Sequence, residues 1–142
     1  MFSSSDKDYE IFEHTADIGI KVFGESLAEV FRKAVLATAD LLSGGIKIEQ
    51  KEKRFFALEE ENMETAFVSI LEEVIFLCEN ELFLPSQCFI KISDNEYSIE
   101  LNGDCFTVED IINGTEIKAV TYHRLKIKKV NDKYIASVIF DV

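Results

Sequence analysis

Few residues in this chain have side chains able to do chemistry, and they are scattered. There are two histidines, His14 and His123, and three cysteines, Cys78, Cys88 and Cys105. The cysteines are odd in number and form no C-x-x-C pair, which argues against a disulfide framework and against a zinc ribbon. No G-x-x-x-x-G-K-[ST] or G-x-G-x-x-G loop is present to cradle a phosphate, and no G-x-S-x-G elbow presents a nucleophile. No local pattern assembles a nucleophile, base and orienter, so no catalytic residue is assigned.

Carboxylates remain. His14-Thr15-Ala16-Asp17 falls at a junction between two strand patterns, where functional residues concentrate. Asp17 has two uses there: a ligand for a hard cation, or a turn cap on a backbone N–H. The chain closes with Ile139-Phe140-Asp141-Val142, a core-strand pattern that runs to the last residue. The Asp141 side chain and the Val142 carboxylate are then neighbours, and two carboxylates repel unless a cation or a donor lies between them. An all-oxygen site of this kind suits Ca²⁺, Mg²⁺ or Mn²⁺ rather than zinc. A frayed terminus is the alternative. The basic residues gather in 116–128. Alternation puts Ile117, Ala119, Thr121, His123, Leu125 and Ile127 on one face, and Lys118, Val120, Tyr122, Arg124, Lys126 and Lys128 on the other. On that count His123 is a partly buried, hydrogen-bonded residue on the apolar face, and Lys118 opens a basic strip.

These residues need elements to hold them. Residues 1–8 are polar and read as a flexible N-terminus, and 9–142 read as one domain, the usual content of a chain of 142 residues. Strands are expected over Tyr9–Glu13 and from Ile18 to Gly24. Ser26-Leu27-Ala28-Glu29 has the form of a capping box, and apolar residues recur behind it at helical spacing until Gly44-Gly45 stops the helix. Residues 46–58 suggest one long or bent strand. Asn62 caps a second helix, with Glu59–Glu61 suited to its positive end. Hairpins follow, turning at Asp94-Asn95 and Asn131-Asp132. The sum is an α+β domain: a mostly antiparallel or mixed sheet of six or seven strands with two helices packed on one face.

The formal net charge is −12. A surface this acidic repels a phosphate backbone, which argues against direct, high-affinity binding of nucleic acid, and anionic membranes are disfavoured likewise. Proteins with basic faces and cations are the partners it favours. The first ten residues lack a basic region followed by an apolar core, and no apolar run can span a bilayer. The expectation is a cytoplasmic protein.

Three stretches, taken together, resemble the archease family. They are Phe12-Glu13-His14-Thr15-Ala16-Asp17-Ile18-Gly19-Ile20, Glu116-Ile117-Lys118-Ala119-Val120-Thr121-Tyr122-His123 and the closing Phe140-Asp141-Val142. The helix starting at Ser26 follows the first of them at the family's spacing. The resemblance implies a non-catalytic partner of the RtcB-type RNA ligase of tRNA splicing and RNA repair, which promotes guanylylation of the ligase and sustains its turnover. It also implies, as the alternative, a chaperone-like module for a tRNA-modifying enzyme such as a tRNA methyltransferase. By the same resemblance Asp17, Asp141 and Val142 form a divalent-metal site, with Ca²⁺ the first expectation and Mg²⁺ or Mn²⁺ next. Lys118, with His14 and His123, is expected on the side that meets the partner.

Overall fold

The computed structural model describes residues 2–3, 9–14 and 17–142, with the backbone alone at 2, 3, 13 and 14. In chain order the elements are β1 (Phe2–Ser3), β2 (Tyr9–His14), β3 (Asp17–Gly24), α1 (Leu27–Ser43), β4 (Glu52–Glu59), α2 (Met63–Glu81), β5 (Phe83–Ser93), β6 (Glu96–Cys105), β7 (Ala119–Val130) and β8 (Lys133–Asp141). The α+β class and both helices are as the sequence suggests. The strands divide into two antiparallel sheets instead of one, ordered β1-β2-β3-β8-β7 and β4-β6-β5. Phe2 and Ser3 pair with Ile11 and Glu10, so the N-terminal segment contributes a short strand; the remainder of the proposed flexible stretch, 1 and 4–8, lies outside the described residues. The strand foreseen over 46–58 begins only at Glu52. Residues 108–113 form successive turns.

The two helices start and stop where the sequence signals lie. Ser26 Oγ accepts from the Glu29 N–H at 3.1 Å, and Asn62 Oδ1 accepts from the Thr65 N–H at 2.9 Å. Each satisfies a donor that a helix start otherwise leaves unpaired. Gly44 closes α1 in the left-handed region at φ 78°, its N–H donating to the Asp40 carbonyl.

Helix α1 is the centre of the molecule. It packs against β3 of the larger sheet, β5 of the smaller sheet, and α2. Small residues make this possible: Ala34, Ala37, Thr38 and Ala39 are buried, so neighbours approach closely on several sides. Thr38 satisfies its hydroxyl internally by donating to the Ala34 carbonyl at 2.8 Å. Phe31 sits between Phe67 of α2, edge-on with ring centroids 5.0 Å apart, and Tyr97 of β6, stacked at 5.8 Å.

In the larger sheet the alternation is strict. Ile20 and Val22 of β3 and their register partners Val138 and Ala136 of β8 are buried on the helix side. Asp17, Lys21 and Phe23 therefore share the other face with Asp141, Ser137 and Ile135, because register partners in an antiparallel pair point the same way. No helix of the described residues is long and apolar enough to cross a membrane.

Candidate functional site

The candidate site is a row across four strands. His14 of β2 pairs with Asp17 of β3, Asp17 with Asp141 of β8, and Asp141 with Ala119 of β7. Asp17 and Asp141, distant in sequence, thus become direct cross-strand neighbours on the open face, with Cα atoms roughly 4.5–5.5 Å apart. Both are partly exposed. Like charges in this arrangement are destabilising unless something positive lies between them. Among the described residues, no group donates a hydrogen bond to either side-chain carboxylate and neither joins an ion pair. Thr15 and Ala16 of the His-Thr-Ala-Asp motif lie outside the described residues.

The C-terminal strand is held on both sides. The Lys118 N–H donates to the Asp141 carbonyl at 2.8 Å, and the Thr121 hydroxyl donates to the Ile139 carbonyl at 2.9 Å. The Val142 side chain packs against the hydrophobic core. A frayed terminus is therefore excluded. Asp141 and Val142 are fixed by β3, by β7 and by the core beneath.

The next row along the sheet is apolar and closely fitted. Phe12 pairs with Gly19, Gly19 with Ile139, and Ile139 with Thr121. A Cβ on Gly19 would fall inside the Phe12 ring, so glycine is required for that ring to lie across β3. Ile139 is only 4% exposed although it belongs to the open face. The two aspartates thus stand at the rim of a rigid, apolar patch.

Lys118 lies just before β7, with its backbone at the site and its side chain exposed. Among the described residues it makes no ion pair, so the ordinary role of tethering a neighbouring carboxylate is not in use. His123 departs from the sequence expectation. Register slips between Thr121 and Lys126, where a bulge inserts extra residues into β7. Val120 before the bulge and Ile127 after it both pair with core-facing residues, Phe140 and Ala136, so the bulge inverts the alternation. His123 is exposed on the bulge, neither partly buried nor in the Asp17–Asp141 row. The basic strip is rearranged as well. Val120 is buried, and Lys126 and Lys128 share the open face with Lys21, which pairs with Ser137 opposite Lys126. Arg124 takes φ 56° in the bulge. A bulge leaves no composition signal, so a uniform period of two cannot hold on both sides of it: the count fits Ile127, Lys126 and Lys128 after the bulge and fails for Val120 before it.

The donor chemistry fits a hard cation. Two carboxylates stand in register, and the Val142 main-chain carboxylate follows directly in sequence. Among the described residues no three His, Cys, Asp or Glu side chains converge on one point, so a cation at the paired aspartates would need further oxygen donors to complete its shell. Nothing here resembles a zinc site. The three cysteines are free, and burial pushes the Cys78 and Cys88 thiols up to about 11 and about 12, which leaves them inert.

The model of the archease protein family matches residues 9–142. Protein archease of Methanosarcina mazei is 34% identical over 144 residues, covering 98% of this chain and 99% of the relative. Protein archease of Sulfurisphaera tokodaii is 30% identical over 136 residues, covering 94% and 98%. The solution structure of protein 1598 of Methanobacterium thermoautotrophicum superposes with a TM-score of 0.79 at 28% identity, over 95% of this chain and 99% of that one. The crystal structure of an archease from Thermotoga maritima, described as a possible chaperone, gives a TM-score of 0.61 at 28% identity over 92% and 94%. Because the family model and these relatives each span nearly the whole of this chain, it belongs to the archease family.

Proposed function

We propose that this protein is a non-catalytic activator of an RtcB-type RNA ligase, acting in the cytoplasm in tRNA splicing and RNA repair. The observation that carries the reading is the register pairing of Asp17 with Asp141, beside a terminus fixed by the Lys118 N–H. Asp17, Asp141 and the Val142 carboxylate hold one divalent cation, Ca²⁺ in the first instance, with Mg²⁺ or Mn²⁺ able to substitute. The cation neutralises charge that otherwise repels, and it can offer open positions to oxygen ligands of a partner. Lys118 supplies an exposed ammonium beside that site, suited to a phosphate in the ligase's active site. His14 and His123 belong to the partner-facing side in this reading. The RNA is bound by the ligase, which agrees with the charge of −12 carried here.

The test is transfer of labelled GMP to the active-site histidine of the ligase, with and without this protein. Faster guanylylation with the parent, and none of that gain with Asp17→Asn or Lys118→Ala, is the expected result. Equal stimulation by either variant would refute these roles.

A second reading is favoured by the description of the Thermotoga neighbour as a possible chaperone. In it the protein keeps an RNA-modifying enzyme, such as a tRNA methyltransferase, soluble. That role needs the surface but not Lys118, so co-purification and solubility of the methyltransferase with Lys118→Ala separate the two readings.

A further inference from the structure

Away from the aspartate row, the turns at 108–113 lean over the C-terminal ends of both helices and enclose a cleft of about 330 Å³. That is near the lower end of ligand-pocket sizes, ~300–1,000 Å³. Leu42 of α1, Leu82 after α2, and Val108 and Ile117 give it an apolar lining. Ile112 and Val108 stand 71% and 65% exposed at its mouth. Single exposed aliphatics are ordinary, but two beside an apolar concavity form a continuous sticky surface. The cleft is firmly built. The Thr115 N–H donates to the Leu41 carbonyl at 2.7 Å, and Gly114 lies so close to the Leu42 carbonyl that a Cβ would collide with it.

Charge selects what fits. Glu79 and Glu116 line the cleft, and no Lys or Arg does. Glu109 and Asp110 are exposed on the same turns. An anionic ligand is repelled here, and a nucleic-acid backbone more so. Two carboxylates flanking an apolar slot complement a helix with aliphatic side chains on one stripe and Lys or Arg beside them. The wall also leads directly to the aspartate row. Ile117 lines the cleft, and the next residue, Lys118, holds the Asp141 carbonyl. Cys78 lines the cleft too, with its thiol pushed up to about 11 by burial.

We infer that this cleft docks a basic amphipathic helix of a protein partner and thereby places the partner beside Lys118 and the paired aspartates. The inference rests on the proposed reading that the chain works on another protein, and it adds where that protein is gripped.

The test has two arms. In the first, the ¹⁵N-labelled protein is titrated with an amphipathic helical peptide of leucine and lysine, and with its leucine–glutamate counterpart. Shifts confined to Leu42, residues 78–82 and residues 108–118, with the lysine peptide alone, are expected. Ile112→Asp should weaken binding about tenfold or more, the scale of losing one buried apolar anchor. Phe55→Asp, an equally exposed aromatic on β4, should not weaken it. Shifts spread over the whole acidic surface, or equal binding by Ile112→Asp, would overturn the proposal. In the second arm, Ile112→Asp should raise the concentration needed to stimulate the ligase without lowering the maximum at saturation; an unchanged concentration dependence would count against the cleft. A ligase indifferent to the parent protein would defeat the activator reading instead, and the peptide arm alone would then decide the cleft.

Discussion

Asp17 and Asp141 are placed so that each makes the other costly, and that cost is measurable. A like-charged cross-strand pair is disfavoured by about 0.2–1 kcal/mol relative to neutral residues. In chelator, Asp17→Asn should therefore unfold at the same temperature as the parent or slightly above it. With Ca²⁺ added, the order should reverse, because a ligand that binds only the folded state stabilises it by RT ln(1 + [L]/Kd). A parent melting temperature indifferent to Ca²⁺, Mg²⁺ and Mn²⁺ would remove the metal from the account. Lys118→Ala should shift stability by no more than about 0.5 kcal/mol, since the side chain is exposed and makes no ion pair among the described residues; chemical denaturation checks this, and any loss of stimulation then belongs to function. At this scale the sequence singles out Asp17, Asp141 and Lys118 as candidates. Its local patterns could not bring Asp17 to Asp141, which only the family resemblance grouped, because the pairing of β3 with β8 is a long-range register. It misplaced His123 because the bulge before Lys126 inverts the side-chain alternation that the count assumed.

Among the elements, the helix signals were the most legible. Ser26, Gly44 and Asn62 act where side-chain and backbone chemistry dictate, within a few residues of chain. Ser26→Ala should cost about 0.5–2 kcal/mol by leaving the Glu29 N–H without its acceptor. The β7–β8 turn was equally legible, since Asn131 and Asp132 adopt φ 51° and 66°. Asp132→Gly supplies the residue that such a turn prefers and should add about 0.5–1 kcal/mol, read from the denaturation midpoint. A loss on that substitution would mean that the Asp132 side chain has a role beyond its backbone. Residues 46–51 were read as strand from their composition, but they find no partner strand in either sheet. Propensity proposes a strand, and pairing decides it.

For the whole molecule, the α+β class followed from the order of helical and alternating segments, whereas the division into two sheets did not. That division depends on α1 being narrow enough, through Ala34, Ala37 and Ala39, to take a sheet on more than one side. The buried core also sets the pH response. Burial raises the Cys78 and Cys88 thiols from 9.0 to about 11 and about 12, and burial with the Asp40 contact raises Tyr9 as well. A raised folded value stabilises fully below the unfolded value and is lost as pH climbs through the folded one. Stability should therefore hold up to about pH 9 and fall steadily from there to 12. Cys88→Ala should flatten part of that fall in a series of urea midpoints. A decline that starts near neutrality would point to other groups.

The central claim is that this chain serves a ligase through Asp17, Asp141 and Lys118, and it is tested most directly by multiple-turnover ligation. The assay uses cognate ligase, GTP, Mn²⁺ and a cleaved RNA, with substoichiometric amounts of this protein carrying no C-terminal tag, so that Val142 keeps its carboxylate. Many turnovers with the parent, and no gain over ligase alone with Asp17→Asn or Lys118→Ala, are expected. Ligation that is unchanged by the folded, metal-loaded parent, or promoted equally by both variants, would contradict it.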